Sequence, residues 1–492
     1  MSKDLKRKQR KAVILITIDA LRPDHLKSYG YNRNTAPNLE EFAKKGTIFS
    51  NAITNGPETP TAFSSLFTSV LPFLDGGYSP LPLQKISFPQ LLQESKIFTY
   101  SIHSNPNLSR FFNYDRGFEV FLDGVRYKKD STTYRSLNIK QIVSFYVKKI
   151  LNYKEIFKFL LYRLKGFNII KSWFRRKIPF ITDILLPFTP IAYNAPYLSN
   201  KLKSFLNTTE KPFFVWAHFM DVHSPYNPPA QNVLSFRKKD FNISEREFLT
   251  KKVYSNLSKI NKTYRMIEDL KILYDSEINF VDEYLQIIID NVNHRFKKDC
   301  LIIITADHGE SFNEHMIFGH QGSVYEEVLK IPLIIVELGK KSTRKNIKDT
   351  VQLIDLAPTI LDYFGIEIPD TFQGKSLLPL IKGDKLERND IIISECYQKN
   401  GLMKRNRNEG YILLAIRKQE WKYIFDEEKN TEFLFNLNSD SQEKKNLIKE
   451  HPEKIDEFRV IKEYHLKKSY DLIEEKSKIV KTIDLLNSNQ LK

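Results

Sequence analysis

The residues best suited to chemistry in this chain stand at the ends of apolar runs. Val13-Ile-Leu-Ile-Thr-Ile leads unbroken into Asp19, and Leu301-Ile-Ile-Ile-Thr-Ala leads into Asp307 and His308. Two carboxylates and an imidazole make a donor set for a divalent cation. A third run, Phe213-Phe-Val-Trp-Ala, ends in a polar cluster of His218, Asp221 and His223, and His315 and His320 follow Asp307 in a glycine-bearing loop. Gly56-Pro-Glu-Thr-Pro-Thr-Ala-Phe-Ser-Ser reads as a turn opening into a helix rich in hydroxyls at its start. Helix N-termini favour bound anions through their free N–H groups. A cation held by the carboxylates would lower the pKa of such a hydroxyl and neutralise charge on a tetrahedral ester. His223 and His320 can contact the ester oxygens or protonate the leaving group. Arg22 can hold an oxyanion, and His218 and Asp221 are candidate substrate contacts. Asp221 with His218 or His223, and His320, also form a candidate second cation set. Each of these residues has an ordinary structural use as well: an Asp or Thr caps a helix, and a lone His sits in a core.

The elements that must position these groups are strands. Continuous apolar runs of this length read as buried parallel strands, and open α/β sheets bind ligands beyond the carboxyl ends of their strands. Residues 38–45 have helical spacing and stop at Gly46, followed by the short strand Thr47-Ile-Phe-Ser-Asn-Ala. Helix, strand and loop are expected over 84–122, helix over 280–292, a strand at Ile331-Pro-Leu-Ile-Ile-Val, and a helix over 355–364 closed by Gly365. From about 385 the pattern changes to short alternating strands, which predict a small antiparallel sheet. The last stretch is polar and helical.

The chain has 492 residues and a formal charge of +17. Residues 126–177 carry fifteen Lys and Arg against only Asp130 and Glu155, interleaved with aromatic and aliphatic residues. That pattern fits a basic amphipathic segment on an anionic membrane surface, or a basic insertion packed on the domain. No nucleic-acid reading motif accompanies it, so no nucleic-acid partner is expected. Cys300 and Cys396 are the only cysteines, too few for a disulfide scaffold. The basic N-terminus lacks the apolar core of a secretory leader, and no run is long enough to span a bilayer. A cytoplasmic location is expected, with membrane association through 126–177.

In this order the motifs resemble the sulfatase family of the alkaline phosphatase superfamily. The resemblance rests on Ile18-Asp-Ala-Leu-Arg-Pro-Asp-His, Thr59-Pro-Thr-Ala-Phe-Ser-Ser-Leu-Phe-Thr-Ser, His218-Phe-Met-Asp-Val-His-Ser-Pro-Tyr, Ala306-Asp-His-Gly-Glu and Gly319-His-Gln-Gly-Ser-Val-Tyr-Glu-Glu. Asp355-Leu-Ala-Pro-Thr-Ile-Leu-Asp, Gln373-Gly-Lys-Ser-Leu-Leu-Pro-Leu and Trp421-Lys-Tyr-Ile extend it downstream. It implies an α/β fold: a mixed, mostly parallel sheet between helices, with a small C-terminal antiparallel sheet subdomain. It divides the chain into a catalytic domain over 1–383, with a basic insertion at about 126–200 and a helical insertion at about 236–275, and a C-terminal part over 384–492. It implies Asp19, Asp307 and His308 as ligands of one divalent ion, calcium, manganese or zinc, and His223 and His320 near the substrate's charged oxygens.

The departures are as informative. The family's nucleophile is usually a Cys, sometimes a Ser, oxidised to formylglycine within Cys-x-Pro-x-Arg. Aligning on Leu66-Phe-Thr-Ser puts Thr59 there, whereas aligning on Pro60 puts Glu58 there. Ala62 and Phe63 stand where the arginine would be, and Ala20 replaces the second Asp of the opening pair. A Thr cannot become formylglycine, so none is expected, but it can act as an alkoxide nucleophile and as a cation ligand. The function implied is a metal-dependent hydrolase of sulfate or phosphate esters, acting on a sulfated or phosphorylated glycan, lipid or small molecule. The alternatives are a phosphodiesterase or a phosphoglycerol- or phosphoethanolamine-type transferase, and a catalytically silent binding protein.

Overall fold

A computed structural model describes residues 11–75, 78, 80–127, 188–190, 193–210, 212–254, 264–340, 345–384, 391–404 and 407–489. Beyond Tyr127, the basic stretch to residue 177 lies outside the described residues. So does the expectation of membrane contact that rests on it. Among the described residues no helix is long and apolar enough to cross a membrane.

Nine strands form the central sheet. Across it run Lys330–Ile331, Thr47–Ile53, Leu333–Leu338, Cys300–Ala306, Ala12–Ile18, Phe213–Phe219, Phe98–Ile102 and Val120–Leu122, with Lys345–Gln352 also paired to Thr47–Ile53. Ala12–Ile18 is parallel to both its neighbours, with Ile18 beside Phe219 on one side and Ala306 on the other. Phe98–Ile102 and Val120–Leu122 continue the parallel run, while Leu333–Leu338 runs antiparallel to Cys300–Ala306. The sheet is thus mixed and mostly parallel, as the family resemblance implies. Every residue of the three central strands is buried, because helices cover both faces. Their in-register pairing sets Asp19, Asp307 and the residues after Phe219 on one edge of the sheet.

The C-terminal part forms a five-stranded antiparallel sheet, ordered Leu402–Lys404, Ile391–Lys399, Tyr411–Lys418, Trp421–Asp426 and Thr431–Asn436. One face packs against the helix that begins at Pro452, through Tyr423, Leu434, Ile455 and Phe458. The other meets the main domain, with Ile392, Cys396 and Leu413 clustered against Ile53, Val324 and Leu329. Cys300 and Cys396 are both buried and unbridged.

Two helices overlap the ends of the expected insertions. The helix Ala195–Thr208 starts on the Asn194 cap and buries Leu198, Leu202 and Leu206 in the main core. Residues 264–275 likewise open one continuous helix, Tyr264–Arg295, whose Leu270, Leu273 and Tyr274 lie in that core. Charged residues on its outer face disguise this in the sequence, because a long helix packed on one side is polar on the other.

Candidate functional site

The site is assembled at the carboxyl ends of the central strands. Asp19 directly follows Ile18 and is wholly buried; its N–H donates to the Phe219 carbonyl at 2.9 Å, which locks it to the neighbouring strand. The next residue, Ala20, has φ 57°, a left-handed conformation uncommon outside glycine. That turn aims the Ala20 N–H at Asp307 Oδ1, 3.2 Å away, and the Ala20 carbonyl accepts from the Tyr274 hydroxyl at 2.7 Å. The backbone at position 20 therefore does a fixing job that needs no carboxylate side chain.

Asp307 Oδ1 also accepts the His308 N–H at 3.0 Å, leaving Oδ2 aimed inward. His308 Nδ1 donates to the Gly309 carbonyl at 2.8 Å, so Nε2 is the nitrogen free to act. That Nε2 lies 3.6 Å from Asp19 Oδ1 and 3.6 Å from Asp307 Oδ2. One ligand atom each from Asp19, Asp307 and His308 lies within 4.8 Å of the others. Gly309 is required by close approach: a Cβ there would sit 2.1 Å from the Glu327 carbonyl oxygen.

The helix Thr59–Thr68 brings the hydroxyl. Glu58, in extended backbone, is its N-cap; Pro60 follows in the first turn, and the Ala62 N–H closes the first turn on the Glu58 carbonyl at 2.9 Å. Thr59 is the first helical residue. Its Oγ1 lies 3.4 Å from His308 Nε2, the nitrogen that faces both carboxylates. Glu58, the other candidate from alignment, is buried, and burial pushes its carboxyl up to about 8. It is a poor nucleophile in that state.

The imidazoles close the site. His308 and His320 lie with ring centroids 4.1 Å apart and planes tilted by 30°, and His223 meets His320 edge-on at 5.3 Å. His223 Nδ1 donates to the Ser224 carbonyl at 2.6 Å, and His320 Nδ1 faces Glu310 Oε1 at 3.2 Å. His218 Nε2 reaches Asp19 Oδ2 at 3.3 Å, while its Nδ1 pairs with Thr17 Oγ1 at 3.0 Å. Burial works to raise the Asp19 carboxyl, but His223, His218 and His308 together hold it well below the ordinary carboxylate range. The Glu310 carboxyl is likewise brought down against its burial by His320, His223 and His308.

Asp19 Oδ1 and Asp307 Oδ2 are buried with no hydrogen-bond partner. Two carboxylates this close repel each other unless a cation lies between them. A third neighbour is invisible in the sequence: Asn105 Nδ2 donates to Asp19 Oδ2 at 3.3 Å, from the loop after the strand Phe98–Ile102. Its Asn-Pro pair signals only a turn.

Two sequence candidates face elsewhere. The Arg22 guanidinium is tied to Asp24 at 2.6 Å, to Glu314 at 2.7 Å and to the Glu310 carbonyl at 2.9 Å. Asp221 Oδ1 accepts the Ala195 N–H at 3.0 Å at the start of a helix, and burial pushes its carboxyl up to about 6. Among the described residues, no second group of three close His, Cys, Asp or Glu ligands accompanies Asp19, Asp307 and His308.

Comparison with known proteins agrees with this architecture. A family model described as sulfatase matches residues 11–366, and one described as N-sulphoglucosamine sulphohydrolase, C-terminal, matches 313–473. An arylsulfatase of Clostridium perfringens is 24% identical over 484 residues, covering 91% of this chain and 93% of its own. Mouse arylsulfatase K is 33% identical over 162 residues, 31% of this chain and 28% of its own. Among solved structures, BT4656 in complex with its substrate D-glucosamine-2-N,6-O-disulfate is similar with TM-score 0.68 at 17% identity, covering 94% of this chain and 98% of its own. The phosphonate monoester hydrolase of Agrobacterium radiobacter is similar with TM-score 0.64 at 19% identity, covering 95% and 96%.

Proposed function

The chain belongs to the sulfatase family, as a sulfuric ester hydrolase-like enzyme, and on that premise we propose that it is a metal-dependent hydrolase of sulfate esters with Thr59 as nucleophile. The observation that carries this is the position of Thr59 Oγ1 at a helix start, 3.4 Å from His308 Nε2 and beside two unpartnered carboxylate oxygens.

Asp19, Asp307 and His308 would hold one divalent cation, with Thr59 Oγ1 as a further oxygen donor. The mixed set suits manganese or zinc at least as well as calcium. Bound there, such an ion supplies a lower hydroxyl pKa and charge neutralisation at the ester. The chain's own residues do the rest. Thr59 Oγ1 attacks the tetrahedral centre as its hydroxyl proton passes to solvent, and the alcohol departs. His223 and His320 face the ester oxygens and deliver a proton to the departing one. Asn105 and His218 hold Asp19 in place through Oδ2. Water then releases the acid from Thr59.

Charge sets the substrate class. Arg22 is spent on Asp24 and Glu314, and Phe63, edge-on to His218 at 5.0 Å, stands where the family pattern has arginine. The anion would be met by one metal ion and imidazoles, which suits a singly charged ester such as a sulfate monoester of a sugar. The complex of BT4656 with a sulfated glucosamine is a similar chain bound to such a molecule.

Thr59 itself favours a second reading. A formylglycine hydrate eliminates sulfate, whereas a threonine ester must be cleaved by attack at a crowded centre. That step is easier at phosphorus, so a phosphodiester, a phosphonate monoester or transfer to an alcohol is the alternative. The test is turnover of aryl sulfate, phosphonate monoester and phosphodiester by the purified chain, with calcium, manganese or zinc, beside Thr59→Ala. Sulfate release abolished in Thr59→Ala supports the first reading; diester or phosphonate cleavage abolished there supports the second. Activity that survives the substitution rules out Thr59 as nucleophile. Cation binding without turnover of any ester would make the chain a silent binding protein.

A further inference from the structure

We propose that Glu310 is a positioning residue that orients His320 for proton delivery to the leaving group, an inference that rests on the reading of the site just given. Glu310 is wholly buried behind the imidazoles. Its Oε1 faces His320 Nδ1 at 3.2 Å. A carboxylate only accepts, so Nδ1 carries the hydrogen of that bond. Nε2 is thereby the ring nitrogen left for the site, and for delivery the ring is an imidazolium: Nδ1–H stays on Glu310 and the Nε2 proton passes to the departing alcohol. The ring is also wedged between His308, at 4.1 Å, and His223, at 5.3 Å. A carboxylate behind a histidine fixes both its tautomer and its angle, which is the general logic of the residue behind a working imidazole.

Glu310 does this from a rigid mount. Its N–H donates to the Glu327 carbonyl at 3.1 Å, and its carbonyl accepts from Arg22 Nη1 at 2.9 Å. Its Oε2 accepts the Tyr226 hydroxyl at 3.4 Å, and Tyr226 lies three residues after His223. One carboxylate therefore joins the loop of His320 to the loop of His223, the two imidazoles that face the leaving oxygen. His315, in the same hairpin region, is held by other partners, Glu327 at 2.9 Å and the Gln442 carbonyl at 3.1 Å. Of these two loop imidazoles, His320 is the one that meets Glu310.

The test reads leaving-group dependence rather than activity alone. Two esters of whichever acid class the wild type turns over are compared: one with a 4-nitrophenol leaving group, which departs without a proton, and one with a simple alkyl alcohol, which needs one. In Glu310→Gln the amide presents N–H or a neutral oxygen to Nδ1, so the imidazolium loses its charged partner and the ring its fixed orientation. The expected result is a fall in kcat of roughly 100-fold for the alkyl ester, with the nitrophenyl ester changed by no more than about threefold. His320→Gln should show the same selectivity, and Glu310→Asp should recover part of the alkyl-ester rate. Tyr226→Phe, which leaves the His320 contact intact, should show no such selectivity. Thermal melting of each variant reports its folding. Equal losses for both esters in Glu310→Gln, or wild-type rates for both, overturn the inference while the parent reading stands. A wild type that turns over no ester overturns the parent reading and this inference with it.

Discussion

Two buried charge clusters in this molecule contrast sharply. At the seam between the domains, the Lys422 ammonium is fully buried between Glu443 at 2.7 Å and Glu326 at 3.0 Å, and Arg417 adds a contact to Glu326 at 3.2 Å. Each carboxylate faces a cation supplied by the chain. At the strand ends, Asp19 and Asp307 converge among imidazoles, the Asn105 amide and two backbone N–H groups, and one oxygen of each has no partner. Burying a charge is costly unless it is paired. The seam meets that cost within the fold and holds the small sheet on the main domain. The strand-end cluster leaves it unmet, which is what a site built for an external cation looks like.

The sharpest way to break the comparison is to remove one charge from each cluster. Asp307→Asn should lower kcat by about 10³-fold, measured on the ester the wild type turns over best, while leaving the chain folded. Lys422→Ala should do the reverse. It leaves Glu326 and Glu443 buried without their ammonium and should cost roughly 3–5 kcal/mol of stability, read from denaturant melts, with catalysis affected only through folding. Chelation should then separate the clusters by stability. Stripping the cation from the wild type should lower its melting temperature by the equivalent of about 2.7 kcal/mol if the ion had been present at about a hundredfold over its Kd. The same chelator should barely move Asp307→Asn, where the repulsion that the cation relieves is already reduced.

The smallest expected effect is in acid. Burial would raise the Glu326 carboxyl, but Arg417 and Lys422 bring it down to about 2. A carboxylate depressed in the folded state contributes stability above its ordinary value near 4.5 and loses it as pH falls toward about 2. Glu443, pushed up to about 7 by burial, adds a slope of opposite sign between about 4.5 and 7. Melting temperature should therefore drop on the acid side, and that drop should shrink in a Lys422→Met background.

Much of this was legible in the sequence where one residue type follows one pattern. Asp19 and Asp307–His308 stand out because an apolar strand that meets a carboxylate has few structural uses for it. The small sheet was legible in alternating runs after residue 385, and the Leu356–Phe364 helix in its Gly365 cap. What stayed hidden depends on partners distant in the chain. Arg22 looks available until the fold brings Glu314 to it, and Asp221 looks like a ligand until the start of the Ala195–Thr208 helix takes it. Asn105 looks like a turn residue until the loop carries it to Asp19.

The central claim is that Asp19, Asp307 and His308 form a site completed by a divalent cation. Elemental analysis of the purified chain, after equilibration with manganese, zinc or calcium and removal of free ion, tests it directly beside Asp307→Asn. The account predicts about one ion per wild-type chain and a marked loss in the variant, with both proteins folded. A folded wild type that retains no ion, or a variant that retains as much as the wild type, would contradict it.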